Sequence, residues 1–194
     1  MSYLPDPFVS HWRFPFKKLP SSGRSWTPGS GGDYGRWFGA KRGSDRNHAG
    51  CDLLMPFGDA VYAIADGTVI SYGQFTGPPL DKIYAVTYSL VVDHDTYIVR
   101  YGEIGEGLKW KKGAKVKAGE KIATVGRVSM DVSKQPMLHF EMFWGDAGGD
   151  LTNKTNKGDT AHYWYVPKRS YQRRADLIDP CPYLLQMADQ SGLK

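Results

Sequence analysis

The chain has 194 residues, 41% of them hydrophobic, which is enough to bury the core of one ordinary domain. Its 23 Gly and 12 Pro argue against an all-helical protein and favour short strands joined by tight turns. The formal net charge of +5 suits an acidic partner, but there is no basic helix, zinc-finger spacing or RNA-binding signature, which disfavours nucleic acid.

Targeting and redox signals are sparse. No stretch approaches the roughly 20 apolar residues that a membrane-spanning helix needs. The first residues lack the basic-then-apolar order of a signal peptide, which predicts export by another route or a place within a larger protein. Cys51 and Cys181 are too few for a disulfide framework; they either pair in an oxidising compartment or are two small buried residues.

The composition changes along the chain and predicts three parts. Residues 1–45 are rich in Pro, Gly, Ser and aromatic residues, typical of an irregular N-terminal arm that wraps around a core. Residues 46–145 contain short runs rich in β-branched and aromatic residues, separated by turn signals, and predict a β-sheet core. Residues 146–194 begin as a polar, Gly-rich loop and end in a short helix predicted at 183–187; this C-terminal extension is expected to pack on the core.

A pattern G-x-x-V-x-A occurs at residues 58–63 and again at 113–118. Each copy precedes a second short predicted strand, around residues 67–70 and 121–125. Paired hairpins of this kind occur in β-sandwich and lipoyl-like barrel folds. Neither copy has the D-K-A or M-K-M setting of a lipoyl or biotin carrier lysine, so a carrier function is rejected.

The stretch R-N-H-A-G-C-D-L-L-M-P-F-G, residues 46–58, places His48 and Asp52 four positions apart. In an extended strand such residues are separated by roughly 13 Å, too far to share an ion. A curved entry into a strand, with Gly50 allowing the bend, would let both side chains converge. The pair alone is common by chance, so a metal site needs a third ligand.

The third candidate ligand is His139, in the predicted strand Q-P-M-L-H-F-E-M-F-W. Alternation along this strand gives a core face and an opposite face. The core face has Leu138, Phe140, Met142 and Trp144, and the opposite face has Met137, His139, Glu141 and Phe143. Alone, His139 would be a half-buried strand histidine. Two His and one Asp, with a water in the fourth position, form a typical ligand set for catalytic zinc.

Four motifs in this order and spacing resemble the lysostaphin-type (LytM-like) zinc endopeptidases over residues 36–145. The motifs are H-A-G-C-D-L, A-I-A-D-G-T-V, G-A-K-V-K-A-G-E-K-I-A-T-V-G and L-H-F-E. That family cuts peptide crosslinks of bacterial peptidoglycan. The resemblance implies a mainly β fold whose core has a lipoyl/biotinyl-like duplicated motif, with an irregular N-terminal arm and a short C-terminal helix. It also implies a bound Zn²⁺ with His48, Asp52 and His139 as ligands.

The sequence departs from the family pattern at both usual catalytic histidines. The first histidine of the family's H-x-H is Met137 here, and the second, in a Y-x-H context, is Glu103. In one interpretation Glu103 is the general base, as Glu is in H-E-x-x-H metallopeptidases. The alternatives are a catalytically inactive zinc-binding relative, acting as a cell-wall binding or assembly module, and a purely structural domain.

Taken with the resemblance, the sequence predicts a zinc-dependent endopeptidase that hydrolyses peptidoglycan crosslinks in the periplasm or at the cell wall. The expected partner is the peptide stem or crosslink of peptidoglycan, with no nucleic acid and no membrane span. A phage lysin, a fragment of a larger exported protein, or a toxin with delivery machinery and an immunity protein would each fit this prediction.

Several charged side chains have competing interpretations. Arg173 and Arg174 would meet a substrate carboxylate, form salt bridges with Asp176 or Asp179, or simply lie exposed on the surface. His94 is predicted in a solvent-exposed hairpin turn between two strands.

Two features outside the motifs also have alternatives. His162 lies in the C-terminal extension and would supply an imidazole only if it reached the site. The aromatic residues Trp26, Tyr34, Trp37 and Phe38 either line a groove for sugar or peptide, or form the core of the N-terminal arm.

Overall fold

The structure is a computed structural model that describes residues 11–29, 35–42, 46–76, 85–129, 135–153 and 172–193. The strands in these ranges are β1 (Lys41–Arg42), β2 (Arg46–Asn47), β3 (Cys51–Leu54), β4 (Ala60–Tyr62), β5 (Gly67–Thr76), β6 (Thr87–Asp93), β7 (Ile98–Ile104), β8 (Lys115–Val116), β9 (Lys121–Thr124), β10 (Met137–Phe143), β11 (Thr152–Asn153), β12 (Gln172–Arg173) and β13 (Leu177–Ile178), followed by helix α1 (Cys181–Gln190). The predicted mainly β fold is therefore confirmed. Across the described ranges, no helix has the length and apolar character to span a membrane.

The largest sheet is antiparallel and runs in the order β13-β10-β7-β6-β5-β8. A seventh strand, β3, pairs with the first half of β10, whereas β13 pairs with its second half. The two sequence stretches that hold the candidate ligands are therefore hydrogen-bonded neighbours in one sheet.

The repeated G-x-x-V-x-A pattern corresponds to two hairpins that exchange strands. Strand β4 of the first copy pairs with β9 of the second, and β8 of the second pairs with β5 of the first. In each copy the first Gly donates to a Val carbonyl of the other copy, and that Val donates to the carbonyl of the residue after the Gly. These bonds join Gly58 and Asp59 to Val125, at 3.0 and 2.9 Å, and Gly113 and Ala114 to Val69, at 2.8 Å each. The sequence echo thus marks a structural duplication.

Strand β10 is buried on both faces. Leu138, Phe140 and Met142 belong to the main core, as the alternation predicts. The prediction is wrong at the end of the strand, because Trp144 follows the last strand residue and is 48% exposed. Phe143, predicted on the opposite face, is fully buried in a second cluster. That cluster includes residues 151 and 177, so the C-terminal part of the chain covers this face of β10.

The described part of the N-terminal segment is irregular, and it contributes to the core. Trp12, Phe14, Phe16 and Trp26 are buried in the main cluster. Backbone hydrogen bonds from Arg13 N to Ile64 O, at 2.8 Å, and from Tyr62 N to Pro15 O, at 3.0 Å, attach the segment to the duplicated hairpins. Trp26 is therefore a core residue and lines no groove; Tyr34 lies outside the described residues. The division of the chain at residues 45/46 and 145/146 stays a prediction.

Helix α1 covers and extends the predicted helix. It begins after Pro180, and the Asp179 carboxylate accepts a hydrogen bond from Cys181 N at 2.8 Å. Leu184 and Met187 face the main core. Cys51 and Cys181 are free thiols, and both are buried in that core.

His94 lies in the turn between β6 and β7, as predicted, but it is only 3% exposed, so the predicted exposure is wrong. Its Nδ1 donates to the Asp66 carbonyl at 3.0 Å, and its Nε2 accepts from the Tyr101 hydroxyl at 2.9 Å. Trp12 of the N-terminal segment packs on the ring, with centroids 5.8 Å apart. Burial lowers the pKa of His94 to about 4, against the opposing effect of the Asp66 carbonyl.

This histidine predicts a specific loss of stability in acid. The folded-state pKa of about 4 lies below the ordinary value of 6.5, so between these values the unfolded chain binds the proton more tightly. The free energy of unfolding should therefore fall as pH drops below 6.5, by about 2 kcal/mol from His94 between pH 7 and pH 5. Urea unfolding of the wild type and of His94→Gln at both pH values isolates this contribution. His94→Gln should lose less stability on acidification by that amount; parallel pH dependence in the two proteins would contradict the prediction.

Candidate metal centre

Three buried side chains converge at the junction of β3 and β10. His48 Nε2 lies 3.0 Å from Asp52 Oδ1 and 3.1 Å from His139 Nδ1. His139 Nδ1 lies 2.9 Å from Asp52 Oδ1. The three residues are between 5% and 7% exposed. The structure therefore brings together all three ligands that the sequence predicted.

The register of the sheet and one glycine explain this convergence. Asp52 on β3 is the direct cross-strand partner of His139 on β10. His48 precedes β3, and its backbone N–H donates to Ala40 O at 2.7 Å. A Cβ at Gly50 would lie 2.4 Å from the Phe140 carbonyl oxygen, so only glycine lets this backbone approach β10. The expected curved entry into the strand is thus present.

Outer partners fix the proton position on each imidazole ring. His48 Nδ1 lies 2.9 Å from the Trp37 carbonyl oxygen, which only accepts, so Nδ1 carries the proton. His139 Nε2 lies 2.9 Å from Glu141 Oε1 and donates to it. In the neutral rings, His48 Nε2 and His139 Nδ1 are consequently bare lone pairs. Both are directed at the same carboxylate oxygen of Asp52.

Burial and their mutual contacts shift the pKa values of all three residues. Burial lowers the pKa of His48. Burial also acts to lower the pKa of His139, but hydrogen bonds with Asp52 and Glu141 outweigh it and raise the pKa to about 9. For Asp52, burial acts to raise the pKa, yet His48 and His139 lower it. A proton on His139 Nδ1 would balance the charge of the Asp52 carboxylate, and a metal ion that displaces this proton would do the same.

The donor set fits a zinc ion. Zinc bonds to nitrogen and carboxylate oxygen are ~2.0–2.2 Å long, so a tetrahedral ion separates its ligand atoms by about 3.4 Å. The three observed separations, 2.9 to 3.1 Å, are slightly shorter than this. Arg42 Nη2 lies 2.5 Å from Asp52 Oδ2 and occupies that oxygen, which leaves Oδ1 as a single ligand atom. Three protein ligands leave the fourth position for water or substrate.

Comparison with known proteins agrees with this geometry. The model of peptidase family M23 matches residues 46–153, which is more than half of the chain. The chain belongs to peptidase family M23. The resemblance to lysostaphin-type endopeptidases is therefore confirmed.

Two curated relatives are similar to about half of this chain. Peptidoglycan DD-endopeptidase ShyA of Vibrio cholerae is 33% identical over 95 residues, covering 49% of this chain and 20% of the relative. ShyB of the same organism is 35% identical over 95 residues, with the same coverage. The chain thus spans about a fifth of the length of the curated relatives that it matches.

Two solved structures share the fold. LytU is 22% identical with a TM-score of 0.50, covering 79% of this chain and 86% of LytU. The structure of cbpa from L. salivarius REN is also 22% identical, with a TM-score of 0.52, and covers 93% of this chain and 99% of that chain. At this level of identity the likeness supports the M23 fold alone.

Glu103, the predicted general base, lies in a β-bulge beside the cluster. Tyr88 and Leu90 of β6 are two residues apart, but their partners on β7, Ile104 and Tyr101, are three apart. The extra residue lies at 102–103, where Glu103 has a φ of +58° and Gly102 is the cross-strand partner of His139. A left-handed φ at a residue other than glycine is strained, and bulges next to functional sites re-aim side chains.

Met137 lies at the start of β10, where the family pattern has the first catalytic histidine. Its cross-strand partner is Leu54, two residues along β3 from Asp52, and it is half-buried. A thioether neither takes nor gives a proton at neutral pH. The departure from the M23 pattern therefore removes an acid–base group from this strand.

Charged groups that the sequence did not connect with the candidate ligands surround them in the structure. Glu141 was placed beside His139, but its two arginine partners were not foreseen. Arg100 Nη1 donates to Glu141 Oε2 at 2.8 Å, and Arg173 Nε donates to Oε1 at 2.9 Å. Phe75 stacks on His139, with ring centroids 5.5 Å apart. Arg100 and Glu141 are direct cross-strand partners on β7 and β10. The sequence alone could have indicated their ion pair only if the register of these two strands had been known.

The remaining candidate residues lie elsewhere or are already paired. Arg174 forms the salt bridge with Asp176 that the sequence offered as an alternative, at 2.7 Å. Arg173 is buried against Glu141, so neither arginine is placed to meet a substrate carboxylate. His162 lies outside the described residues.

The close approach at Gly50 predicts a sensitive backbone position. Gly50→Ala should lower the free energy of unfolding by about 1–3 kcal/mol, because the new methyl group overlaps a backbone oxygen that cannot rotate away. Gly73→Ala is the matched control, since nothing lies within 4 Å of a Cβ there. Urea denaturation of both variants measures the difference. Equal stability of the two variants would show that β3 and β10 have room to separate.

Proposed function

We propose that this chain is a zinc-dependent endopeptidase that hydrolyses peptide crosslinks of bacterial peptidoglycan. The observation that carries the proposal is the convergence of two imidazole nitrogens and one carboxylate oxygen within 3.1 Å of one another. Membership of M23 makes peptidase chemistry the first expectation for such a cluster. Relatives such as ShyA, a peptidoglycan DD-endopeptidase, supply the substrate class.

The chain's own residues would divide the work as follows. His48 Nε2, Asp52 Oδ1 and His139 Nδ1 would hold the ion. Bound there, zinc supplies Lewis acidity that polarises the peptide carbonyl and makes a water molecule more acidic. Trp37 O and Glu141 keep the two rings in the tautomers that present these nitrogens.

Glu103 is proposed as the general base that takes a proton from the attacking water. A carboxylate has the proton-accepting ability that Met137 lacks. Its position supports this role, since Glu103 directly follows Gly102, the strand partner of His139. Strained backbone conformations cluster at functional sites, and Glu103 has one.

The second candidate function is a zinc-binding relative that does not cut and acts as a cell-wall binding or assembly module. The observation that favours it is the absence of an imidazole at both positions where the family pattern has one, since Met137 and Glu103 stand there. On either proposal the chain works at the cell wall or in the periplasm, because peptidoglycan is found there.

Zinc removal tests the enzyme proposal. The purified chain should bind one zinc ion and release new peptide ends from peptidoglycan, detected by mass spectrometry, and chelation should abolish both. His139→Ala should weaken zinc binding by more than the roughly 10–100-fold that loss of an outer partner costs. Re-addition of zinc after chelation controls for damage by the chelator. Zinc binding without new peptide ends, across walls with several crosslink types, would leave the binding module as the function.

Glu103→Gln tests the general base. It keeps the size of the side chain and removes its ability to accept a proton, so kcat should fall by about 10²–10⁴-fold while zinc affinity stays unchanged. Glu106→Gln is the matched control, because Glu106 is exposed just beyond the end of β7. Steady-state cleavage of a soluble crosslinked muropeptide measures both variants. Equal rates for Glu103→Gln and the wild type would exclude Glu103 as the base.

A further inference from the structure

A fully buried carboxylate stands directly behind the candidate metal centre. Glu141 has no exposed surface, yet its two oxygens accept hydrogen bonds from three side chains. His139 Nε2 donates at 2.9 Å, Arg100 Nη1 at 2.8 Å, and Arg173 Nε at 2.9 Å. Arg173 Nη2 lies 2.8 Å from the same oxygen that His139 reaches. Arg173 therefore contacts the very atom that fixes the His139 tautomer.

Arg173 comes from a part of the chain beyond the M23 match, which ends at residue 153. Two strand pairings hold it in place. In the first, β12 pairs with β11, and Arg173 lies opposite Thr152. In the second, β13 pairs with β10, and Leu177 lies opposite Phe143. The adjacent Arg174 bonds to Leu151 O through its backbone N–H at 3.2 Å. The C-terminal segment is thus bound to β10 at the strand that holds His139.

A buried ion pair of this kind is a costly way to stabilise a core. Removing an arginine and a carboxylate from water costs several kcal/mol per ion, and apolar residues of similar volume often serve as well. Apolar residues could not accept a hydrogen bond from His139 Nε2. Arg100 and Arg173 bind the two oxygens of Glu141 and orient its carboxylate. Glu141 Oε1 can then accept a hydrogen bond from His139 Nε2, which leaves His139 Nδ1 free for a ligand bond.

We propose that Arg173 is a positioning residue of the metal centre, acting through Glu141 to fix the ring orientation and tautomer of His139. The C-terminal segment at residues 172–178 then completes the centre from outside the family core. This inference rests on the zinc site of the proposed function. The test is chosen so that failure of one can be told from failure of the other.

The experiment compares two neighbouring arginines in the full chain. Arg173→Lys keeps the positive charge but loses the paired contact of Nε and Nη2 with Glu141. Arg174→Lys is the matched control, because Arg174 is equally buried and pairs with Asp176 instead. Three readouts are taken: the zinc dissociation constant by competition with a chromogenic chelator, the visible spectrum of the cobalt(II)-substituted protein, and the thermal midpoint.

Arg173→Lys should weaken zinc binding by about 10–100-fold and alter the cobalt spectrum. Arg174→Lys should lower the thermal midpoint while leaving the zinc dissociation constant within about twofold of wild type, since Arg174 shares no hydrogen bond with a metal ligand. If Arg173→Lys does not fold, Arg173→Gln, which retains one donor, takes its place. Equal effects of the two substitutions on zinc, or none, would overturn the positioning role alone. A wild-type chain that binds no zinc would overturn the proposed function together with this inference.

Discussion

The pairing of β3 with β10 is the constraint on which the site depends. Its register sets Asp52 directly opposite His139, and a shift by one residue would turn one of the two to the other face. The register is held by burial, since Leu53 and Leu138 pair across the strands and both are fully buried. Gly50 then allows the chain to pass so close to Phe140 that His48 meets the other two ligands. The same strand register that buries the core leucines therefore also brings the candidate ligands together.

At this junction each candidate ligand has an outer hydrogen-bond partner that acts only as donor or only as acceptor. Trp37 O accepts from His48, Glu141 accepts from His139, and Arg42 donates to Asp52. These partners decide which atom of each candidate ligand is available, and the three atoms that remain face one another. Arg42 and Arg173 both lie outside the 46–153 match. The segments on either side of the family core therefore take part in shaping the centre.

The sequence predicted the elements that depend on local pattern. The spacing of His48 and Asp52 and the alternation in β10 offered three candidate ligands, and the family resemblance combined them into one predicted set, which the structure brings together. The repeated G-x-x-V-x-A marked the duplicated hairpins. Predictions failed where distant residues decide the outcome. His94 reads as a polar turn residue, yet Trp12 covers it from a segment 82 positions earlier in the chain. Phe143 reads as outward, yet residues 151 and 177 cover it. Such contacts have no signature in a local window.

The conformation of Glu103 is another feature that sequence could not supply, and it bears on the choice between the two functions. A left-handed φ in a residue other than glycine costs of order 1–3 kcal/mol, and glycine at this position would avoid that cost. Most other positions of this chain with a positive φ are glycine, such as Gly58 and Gly113, whereas residue 103 is glutamate. A module that only binds a wall needs no strained carboxylate beside its metal ligands. A hydrolase that has lost imidazole at both positions does need another proton acceptor, and β7, the strand that pairs with β10, carries Glu103. The strain at Glu103 therefore favours the enzyme over the binding module.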